Sequence, residues 1–330
     1  MIKEKSKISL RLQPLDLLFL IRPPMLIPVW TFFLAGYWRS KGFSLSKIPF
    51  FMKQSILLDH HFWLSFIAYS LLLGSVYIVN QIVDRESDRL NNKLFLIPLG
   101  IVSIKLASII SFLLVIISFS LTFRFGLLYL VFLFCSLMVG LLYSIPPFRF
   151  KAKPIIDIFS NAIGYGILAF AVGWLTTSNF TWRLFAYAIP YFFATASIFS
   201  ISTILDTEGD KRDNAITTAV RFGEEHTLYI CLITLSIALV TGCFLKDYLI
   251  IVASIVSLPL IIIAIVQHKR KFITLYMRGG SFLFIILIAI LFPWYIVLLI
   301  FIYFLSKYYY KRRFMLNYPT LLEEGKENEL

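Results

Sequence analysis

Charge is scarce in this sequence. Asp, Glu, Lys and Arg make up 15% of its 330 residues, where a soluble domain carries about a quarter. Cysteine is scarcer still. Cys135, Cys231 and Cys243 are odd in number, fall inside apolar runs and show neither metal nor redox spacing. They read as small core residues, which removes a disulfide framework or a thiolate metal site from consideration. The four histidines, His60, His61, His226 and His268, are dispersed and offer no ligand set. No Gly/Ser-rich linker or low-complexity segment marks off a soluble domain. The basic N-terminus, Met1 to Gln13, is followed by a full-length apolar run with no cleavage site of small residues. It reads as a cytoplasmic tail and not a signal peptide.

What is present is hydrophobic, at 59% of residues, gathered in runs of about 20, the length that spans a bilayer. The expected fold is all-α, a polytopic membrane helix bundle forming a single transmembrane domain over 1–330, with a basic tail at 1–14 and a polar tail at 307–330. Apolar runs predict nine helices, near 15–38, 62–83, 103–123, 126–145, 155–177, 184–205, 227–245, 248–267 and 281–306. The last is kept whole because a split at Pro293 leaves halves too short to span. The net charge of +13 comes from Lys and Arg scattered among short loops, which suits anionic headgroups and the positive-inside rule and not nucleic acid. With the N-terminus inside, the inner segments carry 4, 4, 3, 3 and 4 Lys or Arg, counting Lys105 with the second. Three outer loops carry one each: Arg124, Arg183 and Lys246. The loop 39–61 carries four, and the C-terminal tail, with five, runs against the bias.

Of the 18 acidic residues, seven lie in two clusters, Asp84, Glu86 and Asp88, then Asp206, Glu208, Asp210 and Asp213. Asn80, Asp84 and Asp88 step by four, so on a helix they fall within about 80° of one another and share a face. Asp206 and Asp210 repeat that step at the end of another apolar run. Carboxylates near a membrane segment are costly, so two clusters in matching phase point to one site holding a divalent cation. Hard oxygen ligands suit Mg²⁺, which bridges one or two carboxylates to a substrate phosphate. Under the nine-helix topology both clusters emerge on the inner side. A third element, Tyr143-Ser-Ile-Pro-Pro147-Phe-Arg149-Phe-Lys151-Ala-Lys153, stops a helix with paired prolines. It then sets three cations at alternate positions, pointing one way if the segment is extended. Such cations suit a phosphate clamp.

Asn-x3-Asp-x3-Asp, then Tyr-Ser-x-Pro-Pro-x-Arg-x-Lys, then Asp-x-Glu-Gly-Asp trailing into Thr-x-Ala-Val-Arg-Phe-Gly at 217–223, resembles the UbiA superfamily of intramembrane prenyltransferases. Arg22-Pro23 looks like that family's opening, and the resemblance covers about residues 20–225. It implies a nine-helix bundle that moves an isoprenoid group from an allylic diphosphate to an acceptor through Mg²⁺-assisted ionisation. Carried over by position, Asn80, Asp84 and Asp88 form the first metal motif, Asp206 and Asp210 the second, and Arg149, Lys151 and Lys153 contact the diphosphate. Arg22 joins the substrate-binding residues, and Tyr143 and Tyr77 are aromatic candidates by position for stabilising the cation. The sequence departs from the family's Asn-Lys-Pro-x-Arg-Pro at Asn92-Lys93-Leu94-Phe95-Leu96-Ile97-Pro98, which lacks the arginine. The implied acceptors are an aromatic or quinone precursor, a tetrapyrrole, a carotenoid or a glyceryl phosphate. The expected location is the cell membrane, with the N-terminus and the site loops on the cytoplasmic side. Two alternatives stay open: a membrane terpene cyclase of the same superfamily, and a proton- or ion-coupled transporter using the same carboxylates.

Overall fold

A computed structural model describes residues 11–42, 58–90, 96–316 and 318. The N-terminal tail to residue 10, much of the loop 39–61, Lys93 with its neighbours, and the tail beyond 318 lie outside the described residues. Within them the regular elements are all helical. The order is α1 (Pro14–Leu20), α2 (Pro23–Ser40), α3 (His60–Val83), α4 (Arg85–Leu90), α5 (Ile104–Thr122), α6 (Leu127–Ser144), α7 (Ile156–Leu175), α8 (Arg183–Arg212), α9 (Thr218–Leu245), α10 (Tyr248–Gln267), α11 (Arg270–Leu291) and α12 (Pro293–Phe314). Short polar residues set the starts. Asp59 accepts from the Phe62 N–H (2.9 Å) to begin α3, and Ser103 accepts from the Leu106 N–H (3.2 Å) to begin α5, each satisfying an otherwise unpaired donor of the first turn.

Among the described residues eight helices, α3 and α5 to α11, are long and apolar enough to cross a membrane, or nine if the pair α1 and α2, bent by 45°, counts as one span; α12 is not among them. The chain is a multi-pass membrane protein. Apolar side chains such as Phe112, Ile116, Ile117 and Phe244 stay exposed on the bundle's outside, where lipid is the solvent. Inside, α2 and α7 cross at backbone contact. A Cβ added to Gly36 would lie 1.9 Å from the Phe170 carbonyl oxygen, and one added to Gly173 would lie 1.9 Å from that of Phe33. Small residues at such a crossing are what let membrane helices approach this closely.

The C-terminal third differs from the expected span at 281–306. The chain breaks at Phe292 (φ −126°, ψ 81°), with Pro293 opening a new helix. Neither half is short, because α11 reaches back to Arg270 through a stretch that reads as loop by its charges, and α12 runs on to Phe314. Phe292 packs near Tyr37 and Trp38 at the far end of α2 (ring centroids 6.2 and 6.3 Å). Tyr309 stacks on Phe19 of α1 at 3.8 Å. The buried Arg313 guanidinium meets the buried Asp16 carboxylate at 3.0 Å, and the Tyr309 hydroxyl donates to the same carboxylate at 2.7 Å. Thus α12 returns to the end where α1 begins, and Lys311, Arg312 and Arg313 join the other basic segments there.

Removing one partner of a buried ion pair strands the other, which costs about 3–5 kcal/mol. Asp16→Ala is therefore expected to lower the thermal unfolding temperature sharply. Combining Asp16→Leu with Arg313→Met is expected to recover most of the loss. An Asp16→Ala variant melting with the parent protein would show that the pair does not hold α12 in place. At the opposite end, Arg39 donates to the Leu245 carbonyl (2.7 Å) and Tyr191 to Asp247 (2.9 Å). Burial pushes the Asp247 carboxyl above its usual range, and the nearby Arg39 opposes the shift.

Candidate active site

The first motif sits where α3 passes into α4. Helical hydrogen bonding continues through the junction, Asp84 N–H to the Asn80 carbonyl (2.9 Å) and Asp88 N–H to the Asp84 carbonyl (2.8 Å). The four-residue steps therefore do share a face. The Asn80 amide donates to the Asp84 carboxylate (2.8 Å) and to the Ser144 hydroxyl (2.9 Å). The second motif does not close its helix as expected. Instead α8 runs on to Arg212, so Asp206 and Asp210 occupy its last two turns. The chain then folds back: Ala215 N–H donates to the Asp210 carbonyl (2.8 Å), and the Thr217 hydroxyl donates to the Asp210 carboxylate (2.9 Å). Between the motifs, the Ser87 hydroxyl donates to Asp213 across 126 residues of sequence.

Both motifs face one pocket of about 390 Å³, lined by Asp84, Asp88, Asp206 and Asp210 and also by Arg149 and Lys151. The Lys151 ammonium pairs with both carboxylate oxygens of Asp84. The basic turn is not extended. Arg149 takes a left-handed conformation (φ 35°, ψ 57°) and Phe150–Ala152 form one turn of 3₁₀ helix. Arg149 and Lys151 line the pocket, while Lys153, extended just past the turn (φ −121°, ψ 124°), is not among its lining residues. The Lys153 ammonium lies 5.9 Å from the Phe150 ring centre.

Two further spaces adjoin the polar one. A cavity of about 220 Å³ is lined by Arg22, Tyr77 and Asn80 and shares Tyr143, Asn161 and Phe199 with the polar pocket. An apolar chamber of about 410 Å³ lies among α2, α8, α9, α10 and α11. The sequence-derived residues are thus brought to adjoining spaces: the four aspartates with Arg149, Lys151 and Tyr143 at the polar pocket, and Asn80, Arg22 and Tyr77 beside it.

Asp157 is a site residue that the sequence reading missed. It is 3% exposed and accepts from the Thr218 hydroxyl (2.5 Å), the Thr218 N–H (2.7 Å) and the Ile158 N–H (2.9 Å). It ties the start of α7 to the start of α9, next to the Thr217 that holds Asp210. The available signal was a lone carboxylate opening an apolar run, where an unpaired charge is expensive, with Asn161 one turn on. Asn161 donates to the Tyr143 hydroxyl (3.1 Å).

Among the described residues no three His, Cys, Asp or Glu side chains converge on a single ion position. The donor set still fits Mg²⁺. Six carboxylates, those of Asp157 and Asp213 included, face two cations around the polar pocket, an excess that divalent cations offset. Mg²⁺ takes few protein ligands and completes its shell with water and phosphate oxygens.

The model of the UbiA prenyltransferase family matches residues 29–274. The chain belongs to that family. Digeranylgeranylglyceryl phosphate synthase of Sulfolobus acidocaldarius is 28% identical over 181 residues, 55% of this chain and 64% of the relative. A chloroplastic 2-acyl-4-prenylphloroglucinol 6-prenyltransferase of Humulus lupulus is 32% identical over 165 residues, 46% of this chain and 40% of the relative. The match thus spans less than two thirds of either curated relative. Among solved structures, a UbiA homologue from Archaeoglobus fulgidus, bound to GPP and Mg²⁺, superposes with a TM-score of 0.61 at 21% identity. That likeness covers 84% of this chain and 98% of the other, and it extends the family's fold to most of the helices described above.

Proposed function

We propose that this member of the family is a membrane prenyltransferase that ionises an allylic diphosphate at the polar pocket and passes the isoprenoid to an acceptor. The observation that carries this reading is the meeting of two aspartate motifs and a basic turn on one pocket, beside an apolar chamber. The diphosphate would lie at Arg149 and Lys151, the guanidinium binding two oxygens at once and the ammonium acting as a point charge. Mg²⁺ would be held by Asp84 and Asp88 on one side and Asp206 and Asp210 on the other, with Asn80 beside Asp84. When bound it draws negative charge off the leaving diphosphate. Lys151, paired with Asp84, would donate to a phosphate oxygen instead once Asp84 is engaged elsewhere. The allylic C–O bond breaks with its electron pair on the diphosphate, the isoprenyl cation accepts an electron pair from the acceptor, and the acceptor gives up a proton to solvent. Asp157 and Thr217 keep Asp210 in position throughout. The hydrocarbon chain of the donor suits the apolar chamber, whose walls include Ile198, Leu235, Phe284 and Ile285.

Purified protein in nanodiscs, given Mg²⁺ and a labelled allylic diphosphate, is expected to release diphosphate and to label an added acceptor. Release with cyclised hydrocarbon and no dependence on any acceptor would point to the cyclase instead. No release with any donor would overturn the reading, and leave the carboxylates to ion coupling.

The same reading sets the pocket on the cytoplasmic side, in keeping with the basic segments gathered there. Single cysteines at Ala152, Asn214 and Met315, in a variant lacking Cys135, Cys231 and Cys243, are expected to react with an impermeant maleimide from one side only. Labelling of Met315 from the opposite side would contradict the placing of the α12 end beside α1 and the site loops.

A further inference from the structure

The chain bends by 45° between α1 and α2, and the residue at the bend is Arg22, in a left-handed conformation (φ 55°, ψ 63°). A residue with a Cβ keeps such a conformation only where its surroundings impose it. Alone, α1 cannot impose it, because a helix of seven residues does not persist without tertiary contacts. Two neighbours supply them to its buried residues, Asp16, Phe19 and Leu20. The Gln81 amide of α3 donates to the Leu20 carbonyl (2.8 Å), and α12 takes Asp16 and Phe19. Helix α1, Arg22 and α12 all lie outside residues 29–274, the stretch that matches the family model.

On α12, Tyr295, Ile302, Ser306, Tyr309 and Arg313 are buried, at steps of seven, four, three and four that keep them on one face. Val297, Phe301 and Phe304, on the opposite face, are exposed. The buried face crosses the bend. At its start the Tyr295 hydroxyl donates to the Ile27 carbonyl of α2 (2.9 Å). At its end the Tyr309 ring lies flat on that of Phe19, and the Tyr309 hydroxyl and the Arg313 guanidinium both donate to Asp16 (2.7 and 3.0 Å). Arg313 also donates to the Arg11 carbonyl (2.9 Å), just ahead of α1. Contacts on both arms fix the angle between them, and with it the backbone of Arg22. Because Asp16 is fully buried, losing Arg313 strands a charge, and the simplest relief is for α1 to swing out to water.

Arg22 is the one charged residue among those lining the 220 Å³ cavity, and it shares that wall with Asn80, whose amide donates to Asp84 (2.8 Å). Its charge is felt at the Tyr77 and Tyr165 hydroxyls on the cavity and at Tyr310 of α12. Resting on the prenyl-transfer reading, we infer that α12 is a strap across the bend between α1 and α2. Tyr309 and Arg313, acting through Phe19 and Asp16, hold the Arg22 guanidinium at the cavity, where its charge helps retain the anionic donor. These four are positioning residues, and none of them lines the polar pocket or the cavity.

Two readouts on the full-length protein in nanodiscs test this. The first is backbone hydrogen exchange over residues 11–22, measured by mass spectrometry without substrate. Arg313→Ala is expected to speed it at least about tenfold, as is Tyr309→Leu should the first variant fold poorly, while α3 and α8 keep the parent's protection. Combining Asp16→Leu with Arg313→Met, which strands no charge, is expected to restore the parent rate. The second readout is the KM for labelled geranyl diphosphate with Mg²⁺. Arg22→Gln and Arg313→Ala are each expected to raise it about tenfold with kcat changed less, and the two together no more than either alone. Asp247→Ala, which unpairs Tyr191 at the opposite end of the bundle, is expected to lower the melting temperature and to move neither readout. A product of the two effects, about a hundredfold, would show that Arg22 and α12 act independently and overturn the inference. Parent-like exchange in both strap variants overturns it too, as do equal effects in Asp247→Ala. If the parent protein releases diphosphate from no donor, the prenyl-transfer reading falls, and the exchange readout alone decides the strap.

Discussion

Asp84→Asn and Asp206→Asn are each expected to lower Mg²⁺-dependent turnover by on the order of 10²–10³-fold, with the fold intact. The motive is geometric. The two residues sit 122 positions apart, yet both line the polar pocket between the same pair of motifs. Replacing a carboxylate by an amide keeps the shape and removes the charge that holds a hard cation. For Asp84 the change also frees Lys151, whose ammonium pairs with that carboxylate. If the motifs serve one ionisation step, the double variant should be little worse than either single one, because groups that act as a unit do not add. Near-parental turnover in either well-folded variant would mean that its motif does not serve the reaction.

Arg149→Lys is the second large effect expected. The substitution keeps the charge and deletes the planar fork that grips two phosphate oxygens. Charge-assisted hydrogen bonds of this kind are worth roughly 1.5–3 kcal/mol, or about one to two decades in donor affinity or turnover. Arg149 also has a positive φ of 35°, which its turn imposes and Lys tolerates no worse, so the backbone term largely cancels in the comparison. Arg183→Lys, at the start of α8 and on the opposite end from the site, is expected to change nothing. Lys153→Gln is expected to act weakly, since Lys153 does not line the pocket. Equal and negligible effects at positions 149 and 183 would return the basic turn to a loop that merely obeys the positive-inside rule.

These sites were legible to different degrees, for physical reasons. Asp84, Asp88, Asp206 and Asp210 stand out because a carboxylate at the edge of an apolar run needs a partner, and a repeated step of four keeps them on one face. Asp157 carries no such rhythm. Its partner Thr218 is 61 residues away, a distance only the fold closes. Alternation in Arg149-Phe-Lys151-Ala-Lys153 suggested an extended strand of cations, but the turn after the prolines winds into a 3₁₀ helix and sends Lys153 elsewhere. Hydropathy marked 281–306 as one span because Arg270, Lys271 and Arg278 read as loop. Yet at a helix end long basic side chains reach water while the backbone stays helical, and Pro293 then starts the second helix. The same blindness hid the buried pair of Asp16 and Arg313: Asp16 falls at the start of the predicted first helix, and Arg313 looks like an ordinary tail charge until α12 is folded back onto α1.

The most direct test is calorimetric binding of a non-ionising thiolodiphosphate analogue of the donor to the protein in nanodiscs, with and without Mg²⁺. Binding is expected to require Mg²⁺, to vanish with EDTA, and to be lost in Asp84→Asn and in Asp206→Asn alike. Tight binding that ignores Mg²⁺, or that survives the loss of either motif, would contradict a single metal-diphosphate site shared by the two.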